Sequence, residues 1–230
     1  MIRAGTSGFS YKEWKGAFYP EDLSAAKMLE YYASRLPAVE INNTFYRMPK
    51  SEVLDGWADK TGSDFRFVLK ASRRITHFKR LGGVEEELEY FLRTAATLGS
   101  RLGAVLFQLP PNMKKDVERL RGFLDLLAAP TRAAFEFRHA SWFEDDVVEL
   151  LRDRGAALCT ADTEEEAGKI VRTGPMGYLR LRRADYSDEE LGRWIERVEA
   201  ADWDEAYVFF KHEDEAGGPR MAESFLRKLG

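Results

Sequence analysis

Short apolar runs alternate along the chain with longer stretches in which apolar positions recur every three or four residues. The first pattern predicts strands and the second predicts helices packed by one face. Strands are predicted over Ile2–Thr6, Val39–Asn42, Phe65–Lys70, Ala104–Leu109, Ala133–Arg138, Ala157–Ala161, Tyr178–Arg182 and Tyr207–Lys211. Helical patterns between them cover Ala25–Arg35, Ser51–Lys60, Glu85–Leu98, Lys114–Leu127, Asp145–Arg154, Asp188–Ala201 and Gly218–Leu229. Regular strand–helix alternation implies a parallel sheet. The 230 residues divide into eight units of about 29 residues each, near the size of one βα repeat, so the expected fold is an α/β (β/α)8 TIM-type barrel of parallel strands. The sixth unit is the exception. Thr163–Gly174 is charged and carries no apolar stripe, so the sixth helix is expected to be short or absent. No linker or composition break interrupts the pattern, and residues 1–230 are expected to form a single barrel domain. The competing arrangement, an open nucleotide-binding sheet, loses ground because Gly5-Thr6-Ser7-Gly8 lacks the Gly-x-Gly-x-x-Gly spacing and no Walker loop occurs.

Polar residues gather at the C-terminal ends of the strands. Read with period two, Glu40 and Asn42 share a face, as do Glu136 and Arg138, and Arg180 and Arg182. Lys70, Gln108 and Lys211 end their strands, Ser7 closes the first, and Asp162 follows the sixth. The bulky alternates Phe135, Phe137, Leu179 and Leu181 would then face the helices, leaving the polar series to point inward at the mouth, where barrel enzymes assemble their sites. Buried charges are costly unless paired, so Glu40, Lys70, Glu136, Arg138 and Arg180 are expected to form an ion-pair network there. Taken singly, a charge at a strand end is as often only an exit into solvent. The loops leaving the same ends carry Phe9, Tyr11, Trp14, Phe18, Tyr19, Phe45, Tyr46, Phe78, Trp142, Phe143 and Tyr186. Most loop aromatics are packing residues, but as a set beside charge they suit stacking on a sugar or a base.

Composition narrows the classes. Hydrophobic residues make up 44% and charged residues 32%, ordinary values for a soluble globular protein. The single cysteine, Cys159, excludes an intramolecular disulfide and any zinc site built from several thiolates; inside an apolar strand it reads as packing. The start, Met-Ile-Arg-Ala-Gly, has no secretory pattern, and no run approaches the ~20 apolar residues of a membrane span, so a cytoplasmic location without a membrane partner is expected. The formal net charge of -4 conceals an uneven distribution. Residues 65–84 hold six basic residues and no acidic one, and residues 172–183 hold four and none. Base collects around the third and seventh strands. The acidic runs Glu85–Glu87, Glu164–Glu166 and Glu213–Glu215 read as solvated faces.

Several of these segments resemble a known family. Gly5-Thr6-Ser7-Gly8-Phe9-Ser10-Tyr11 with Trp14 and Phe18-Tyr19-Pro20 is similar to the opening of domain-of-unknown-function family 72, the YecE-like family. Further likeness lies in Val39 to Tyr46 with Pro49 and Trp57, Phe65-Arg66-Phe67 to Lys70, Ile75-Thr76-His77, Leu106 to Pro111, and Phe135 to His139 with Trp142. The resemblance covers essentially the whole chain and implies a (β/α)8-type barrel. It implies no reaction, and the family's likeness to endonuclease-type sugar-phosphate barrels is one of fold. The chain departs from the family pattern at Arg182-Arg183, in place of a His-Gly pair, and at Lys211-His212, in place of an Asn pair, which points to a different or more anionic ligand.

Three chemical readings compete. In the first, Lys70, Arg138, Arg180 and Arg182 grip a phosphate-bearing ligand or nucleic acid, with Asn42, Tyr46, His77, Gln108, Trp142 and Asp162 completing the ligand-binding set. Glu136 is then a general acid/base candidate partnered by Glu40 or Asp162, and phosphodiester cleavage is the concrete reaction. In the second, Glu40 and Glu136 flank a glycosidic bond, a reading the many cations disfavour. In the third, the barrel binds nucleic acid or a metabolite without catalysis. A divalent metal cofactor would have to draw on His77, His139, His212, Glu40, Glu136 and Asp162, yet these show no metal-ligand spacing, so no metal ligand is assigned. No Gly-x-Ser-x-Gly nucleophile motif occurs. Nothing in the pattern sets an oligomeric state.

Overall fold

The structure, a computed structural model, describes residues 1–47, 49–127, 131–211 and 216–230. Among them nine strands form one sheet in which every pairing is parallel. These are β1 (Ile2–Ser7), β2 (Ala38–Ile41), β3 (Arg66–Lys70), β4 (Leu102–Gln108), β5 (Ala133–Glu136), β6 (Ala157–Leu158), β7 (Thr160–Asp162), β8 (Met176–Leu181) and β9 (Glu205–Phe210). The order runs β6-β5-β4-β3-β2-β1-β9-β8-β7, so the two edge strands are consecutive segments of one stretch, separated only by Cys159. β6 pairs with β5, the Cys159 amide donates to the Phe135 carbonyl, and β7 pairs with β8. The sixth predicted strand is thus present but shared, and the barrel closes through it.

Eight α-helices lie among the described residues: α1 (Met28–Arg35), α2 (Asn43–Tyr46), α3 (Ser51–Asp59), α4 (Glu85–Ala95), α5 (Val117–Asp125), α6 (Asp145–Asp153), α7 (Asp188–Ala200) and α8 (Gly217–Leu229). The short α2, at the exit of β2, is the one that periodicity did not predict, because four residues are too few to show a helical repeat. The helix expected over Lys114–Leu127 begins later. The Asp116 side chain caps it by accepting the Arg119 amide at 3.0 Å, which sets Val117 as its first residue. The pattern over Glu85–Leu98 breaks into a 3-10 segment after Ala95, which contains Gly99 with a positive φ of 55°. No helix is described between Asp162 and Met176. The loop there is pinned instead: Gly168 donates to Asp162 Oδ1 at 2.7 Å, and Arg197 of α7 donates to the Gly168 carbonyl at 2.6 Å.

Period-two alternation separates two cores. Phe107, Phe135, Leu179 and Leu181 point outward into the layer beneath the helices. Ala38, Val68, Leu106, Ala134, Cys159, Tyr178 and Phe209 point inward and fill the barrel. Small residues on one side of that interior leave room for the rings of Tyr178, Tyr207 and Phe209 on the other. The N-terminal end of the barrel is closed by charge, where Glu205 accepts from Arg3 at 2.6 Å, Arg132 at 2.5 Å and Tyr207 at 2.9 Å. No helix among the described residues is long and apolar enough to cross a membrane.

The contact between β1 and β2 is unusually close at Gly5. The Tyr32 hydroxyl from α1 accepts the Thr6 amide and donates to the Ala38 carbonyl, each at 2.9 Å. A Cβ at Gly5 would lie 1.9 Å from that carbonyl oxygen. The substitution Gly5→Ala is therefore expected to destabilise the fold by at least ~2 kcal/mol, read as a lower urea midpoint. An unchanged midpoint would show that the strands can separate at no cost.

Candidate functional site

The C-terminal end of the barrel holds a buried ionic cluster built from five strands. Strand register sets its neighbours: Ser7 lies beside Glu40, and Gln108 beside Glu136. The Ser7 hydroxyl donates to Glu40 Oε1 at 2.7 Å, and the Gln108 amide donates to Glu136 Oε2 at 2.8 Å. Arg180 enters from the opposite wall on β8. One terminal nitrogen reaches Glu40 at 2.9 Å and the other reaches Glu136 at 2.5 Å. The Tyr178 hydroxyl, two residues earlier on the same face, donates to the second Glu40 oxygen at 2.6 Å. Glu40, Glu136 and Arg180 are at most 3% exposed.

Glu136 also faces outward. Its Oε1 accepts from Arg138 Nε at 3.1 Å and lies 3.5 Å from an Arg182 nitrogen. Burial pushes the Glu136 carboxyl up, but the guanidiniums of Arg180 and Arg138, the Gln108 bond and Arg182 outweigh it and hold the pKa at about 2. Arg180 moves the other way from its own desolvation: Glu40 and Glu136 hold its pKa well above the ordinary value. Desolvation, and then Glu40, raise the Tyr178 hydroxyl, which stays a donor.

Lys70 stands apart from this cluster. It is half-buried at the end of β3 and makes no ion pair among the described residues. Its Nζ lies 4.3 Å from the centroid of the Phe45 ring. Desolvation and the nearby Arg180, with a smaller push from Arg138, lower its pKa to about 8 against the opposing pull of Glu40 and Glu136. His77 sits edge-on to the same ring at 4.8 Å, on a π-helical turn over Arg74–Phe78, and its Nδ1 is 2.9 Å from the Thr76 hydroxyl. Desolvation, then Lys70, lower its pKa, which favours the neutral imidazole. Tyr46 and Phe78 are exposed, with the Arg73 guanidinium 5.7 Å and 5.3 Å from their rings. Asn42 heads α2 and its Oδ1 is buried without a hydrogen-bond partner among the described residues.

The structure therefore brings together Glu40, Glu136, Gln108, Arg138, Arg180 and Arg182, and sets Lys70, His77, Asn42 and Tyr46 around them. Three expected roles change. Arg180 is enclosed, with both terminal nitrogens committed to carboxylates and its Nε buried without a partner among the described residues, so its observed role is to hold the two carboxylates together. Asp162 is buried, with Oδ1 taken by Gly168 and Oδ2 by the Tyr186 hydroxyl at 2.7 Å; it pins the sixth loop. Trp142 is fully buried, stacked on Phe137 at 4.6 Å, with its indole N–H donated to the Met113 carbonyl. His139 caps its own turn by accepting the Ser141 amide. Among the described residues no three His, Cys, Asp or Glu side chains gather as metal ligands, and His212 lies outside the described residues. Burial, and then the Glu136 charge, push the Cys159 thiol up, consistent with packing. Sequence reasoning passed over Tyr178 and took Phe45 only as one of the loop aromatics. Tyr178 was readable, because it shares the inward parity of Arg180, whereas Phe45 is positioned only by α2.

The match to known proteins agrees with this architecture. The profile of the family described as "Protein of unknown function DUF72" matches residues 3–230. The chain belongs to this family. Over 156 residues it is 34% identical to the UPF0759 protein YecE of Escherichia coli K12, covering 67% of this chain and 55% of YecE. It is 28% identical over 151 residues to YunF of Bacillus subtilis 168, covering 62% of this chain and 52% of YunF. The matched region thus spans about half the length of these curated relatives. Among solved structures, the DUF72 protein TM1631 of Thermotoga maritima superposes with a TM-score of 0.87 at 31% identity, covering 100% of this chain and 99% of that one. The DUF72 protein EF0366 of Enterococcus faecalis V583 shares the fold at 21% identity, with a TM-score of 0.82 over 100% of this chain and 95% of that one. Family membership carries the barrel and assigns no reaction.

Removal of the Arg180 charge leaves two buried carboxylates without their main counter-ion. Arg180→Ala is expected to cost about 3–5 kcal/mol in urea unfolding, whereas Arg182→Ala, at the partly exposed edge, costs under about 1 kcal/mol. Equal losses would contradict this division of roles. Acid stability gives a second check. The folded pKa of Glu136 lies below its ordinary 4.5, so its contribution is complete above pH 4.5 and lost as pH falls toward 2. That loss is of order 2–3 kcal/mol, and Glu136→Gln should flatten this limb of the stability–pH curve while lowering stability at pH 7.

Proposed function

We propose that the chain binds a phosphate-bearing ligand at the barrel mouth, its phosphate gripped by Arg138 and Arg182 with Lys70 on the same side of the cluster. The observation that carries this reading is an imbalance of charge. Four cations, Lys70, Arg138, Arg180 and Arg182, surround two carboxylates, Glu40 and Glu136. Arg180 is consumed by the carboxylates, so the surplus lies on the three cations nearer solvent. The Arg138 and Arg182 side chains are 34% and 22% exposed, and Glu136 aims both of them from beneath. Arginine forks held this way match phosphate oxygens two at a time, and a partly desolvated site strengthens each bond. Desolvation and Arg180 lower the Arg182 pKa, as expected of a cation crowded by other cations and relieved by an anion.

A ring attached to the phosphate would find stacking partners. Tyr46, Phe78 and Phe143 are exposed on the segments that follow β2, β3 and β5 at the same end of the barrel, and Arg73 lies against the rings of the first two. These rings favour a nucleotide, or the end of a nucleic-acid strand, over an unadorned phosphate. Glycoside chemistry loses support, because it needs one carboxylic acid able to give up a proton: Glu136 is kept ionised, and both oxygens of Glu40 already accept hydrogen bonds from Ser7, Arg180 and Tyr178. The same fact removes Glu136 as a general acid in phosphodiester cleavage. It leaves Glu136 as the anchor of the cationic set.

Calorimetric titration with inorganic pyrophosphate and adenosine monophosphate tests the reading. The native protein should saturate, and Arg138→Ala combined with Arg182→Ala should weaken affinity ~10–100-fold, as expected for lost charge-assisted bonds. Equal affinity in the double variant, or no saturable binding of either compound, would overturn the assignment. An oligonucleotide bound more tightly than the mononucleotide, with affinity falling steeply with salt, would identify the ligand as a strand.

A further inference from the structure

We propose that Lys70 is a carbonyl-binding amine, forming an imine with an aldehyde or ketone whose phosphate group is held by Arg138 and Arg182. This inference rests on the phosphate reading above and adds the reactive end of the ligand. Four lysines elsewhere on the chain, Lys27, Lys79, Lys115 and Lys228, are paired with carboxylates. Lys70 has no such partner among the described residues, though two buried carboxylates lie within its electrostatic reach. Arg180 has taken both. The ammonium is left half-buried on the face of Phe45, at the end of a barrel strand, within electrostatic reach of Arg138, one of the two cations proposed to hold phosphate.

That surrounding favours the free amine. The groups facing Lys70 are Arg180 from β8, Arg138 after β5, Glu40 from β2, Glu136 from β5 and His77 after β3. Desolvation and the arginines outweigh the carboxylates and place its pKa at about 8. At pH 7.5 roughly a quarter of such amines are neutral, against ~0.1% for an exposed lysine with its pKa near 10.4. A desolvated lysine beside other cations is a known way to prepare this nucleophile.

The chemistry balances without an added oxidant or reductant. The amine lone pair bonds to the carbonyl carbon, and the carbonyl π pair moves to oxygen, giving a carbinolamine after one proton passes from nitrogen to oxygen. The second amine proton then joins that hydroxyl, the C–O bond breaks, and one water leaves as the C=N bond forms. His77, edge-on to the same Phe45 ring and with its pKa lowered, is the neighbouring base for these proton transfers. Once protonated, the imine withdraws electrons from the adjacent C–H or C–C bond, so the class of reaction opened is proton abstraction or carbon–carbon cleavage next to a carbonyl.

Reductive trapping decides the matter. The native protein is incubated with glycolaldehyde phosphate, and separately with glycolaldehyde, in the presence of cyanoborohydride, and the modified lysines are located by peptide mass. The expected result is an adduct on Lys70 at least 10-fold ahead of every other lysine. It should favour the phosphorylated probe, be suppressed by pyrophosphate, and level off above about pH 8 while surface lysines continue to gain. Lys70→Arg should abolish this adduct with an unchanged melting temperature; the native-protein map decides the question even if that variant unfolds. Adducts spread evenly over the lysines while pyrophosphate still binds would overturn the imine and leave the phosphate reading intact. Selective labelling of Lys70 that is equal for both probes and indifferent to pyrophosphate would support the amine and overturn the phosphate reading.

Discussion

A single guanidinium, that of Arg180, spans the barrel between Glu40 and Glu136. Its attachment points lie on β8, β2 and β5, three walls of a closed sheet, and each carboxylate is completed by a neighbour in register or on the same face. Buried ion pairs of this kind contribute little net stability, because desolvation offsets their attraction. Their effect is on placement. Once Arg180 has claimed the inward sides of both carboxylates, only the outward oxygen of Glu136 is left to orient Arg138 and Arg182, and nothing is left for Lys70.

Closure of the sheet makes this arrangement possible. β6 and β7 divide one short stretch between two neighbouring strands, which brings the sheet nearly to closure around the charges. The loop that replaces the sixth helix is held down by Asp162 and Arg197. Aromatic residues fill the interior below the cluster, and the Arg3–Glu205–Arg132 group shuts the far end. The partly exposed side of the cluster is the mouth, where Arg138, Arg182 and the exposed rings stand.

Most of the fold was legible along the chain, because strand–helix alternation and inward parity are local properties of consecutive residues. Glu136 with Arg138, and Tyr178 with Arg180, reveal their shared face within three residues. Boundaries slipped where a cap or a glycine intervened, as at Asp116 and Gly99. The roles of individual site residues were less legible. Trp142 and Asp162 look like ligand contacts beside a strand end, but burial and hydrogen bonding committed both to the scaffold.

What the sequence determined by itself was the repeating unit, the barrel it implies, the missing sixth helix and the set of charges gathered at one end. All of these follow from periodicity and position within a strand. Which cation would be enclosed and which would face solvent was decided only by the tertiary structure. Arg180 and Arg182 are two residues apart on one face and indistinguishable by parity. Their fates differ because one sits at the depth where carboxylates from two opposite walls converge, and the other sits a layer higher, toward solvent.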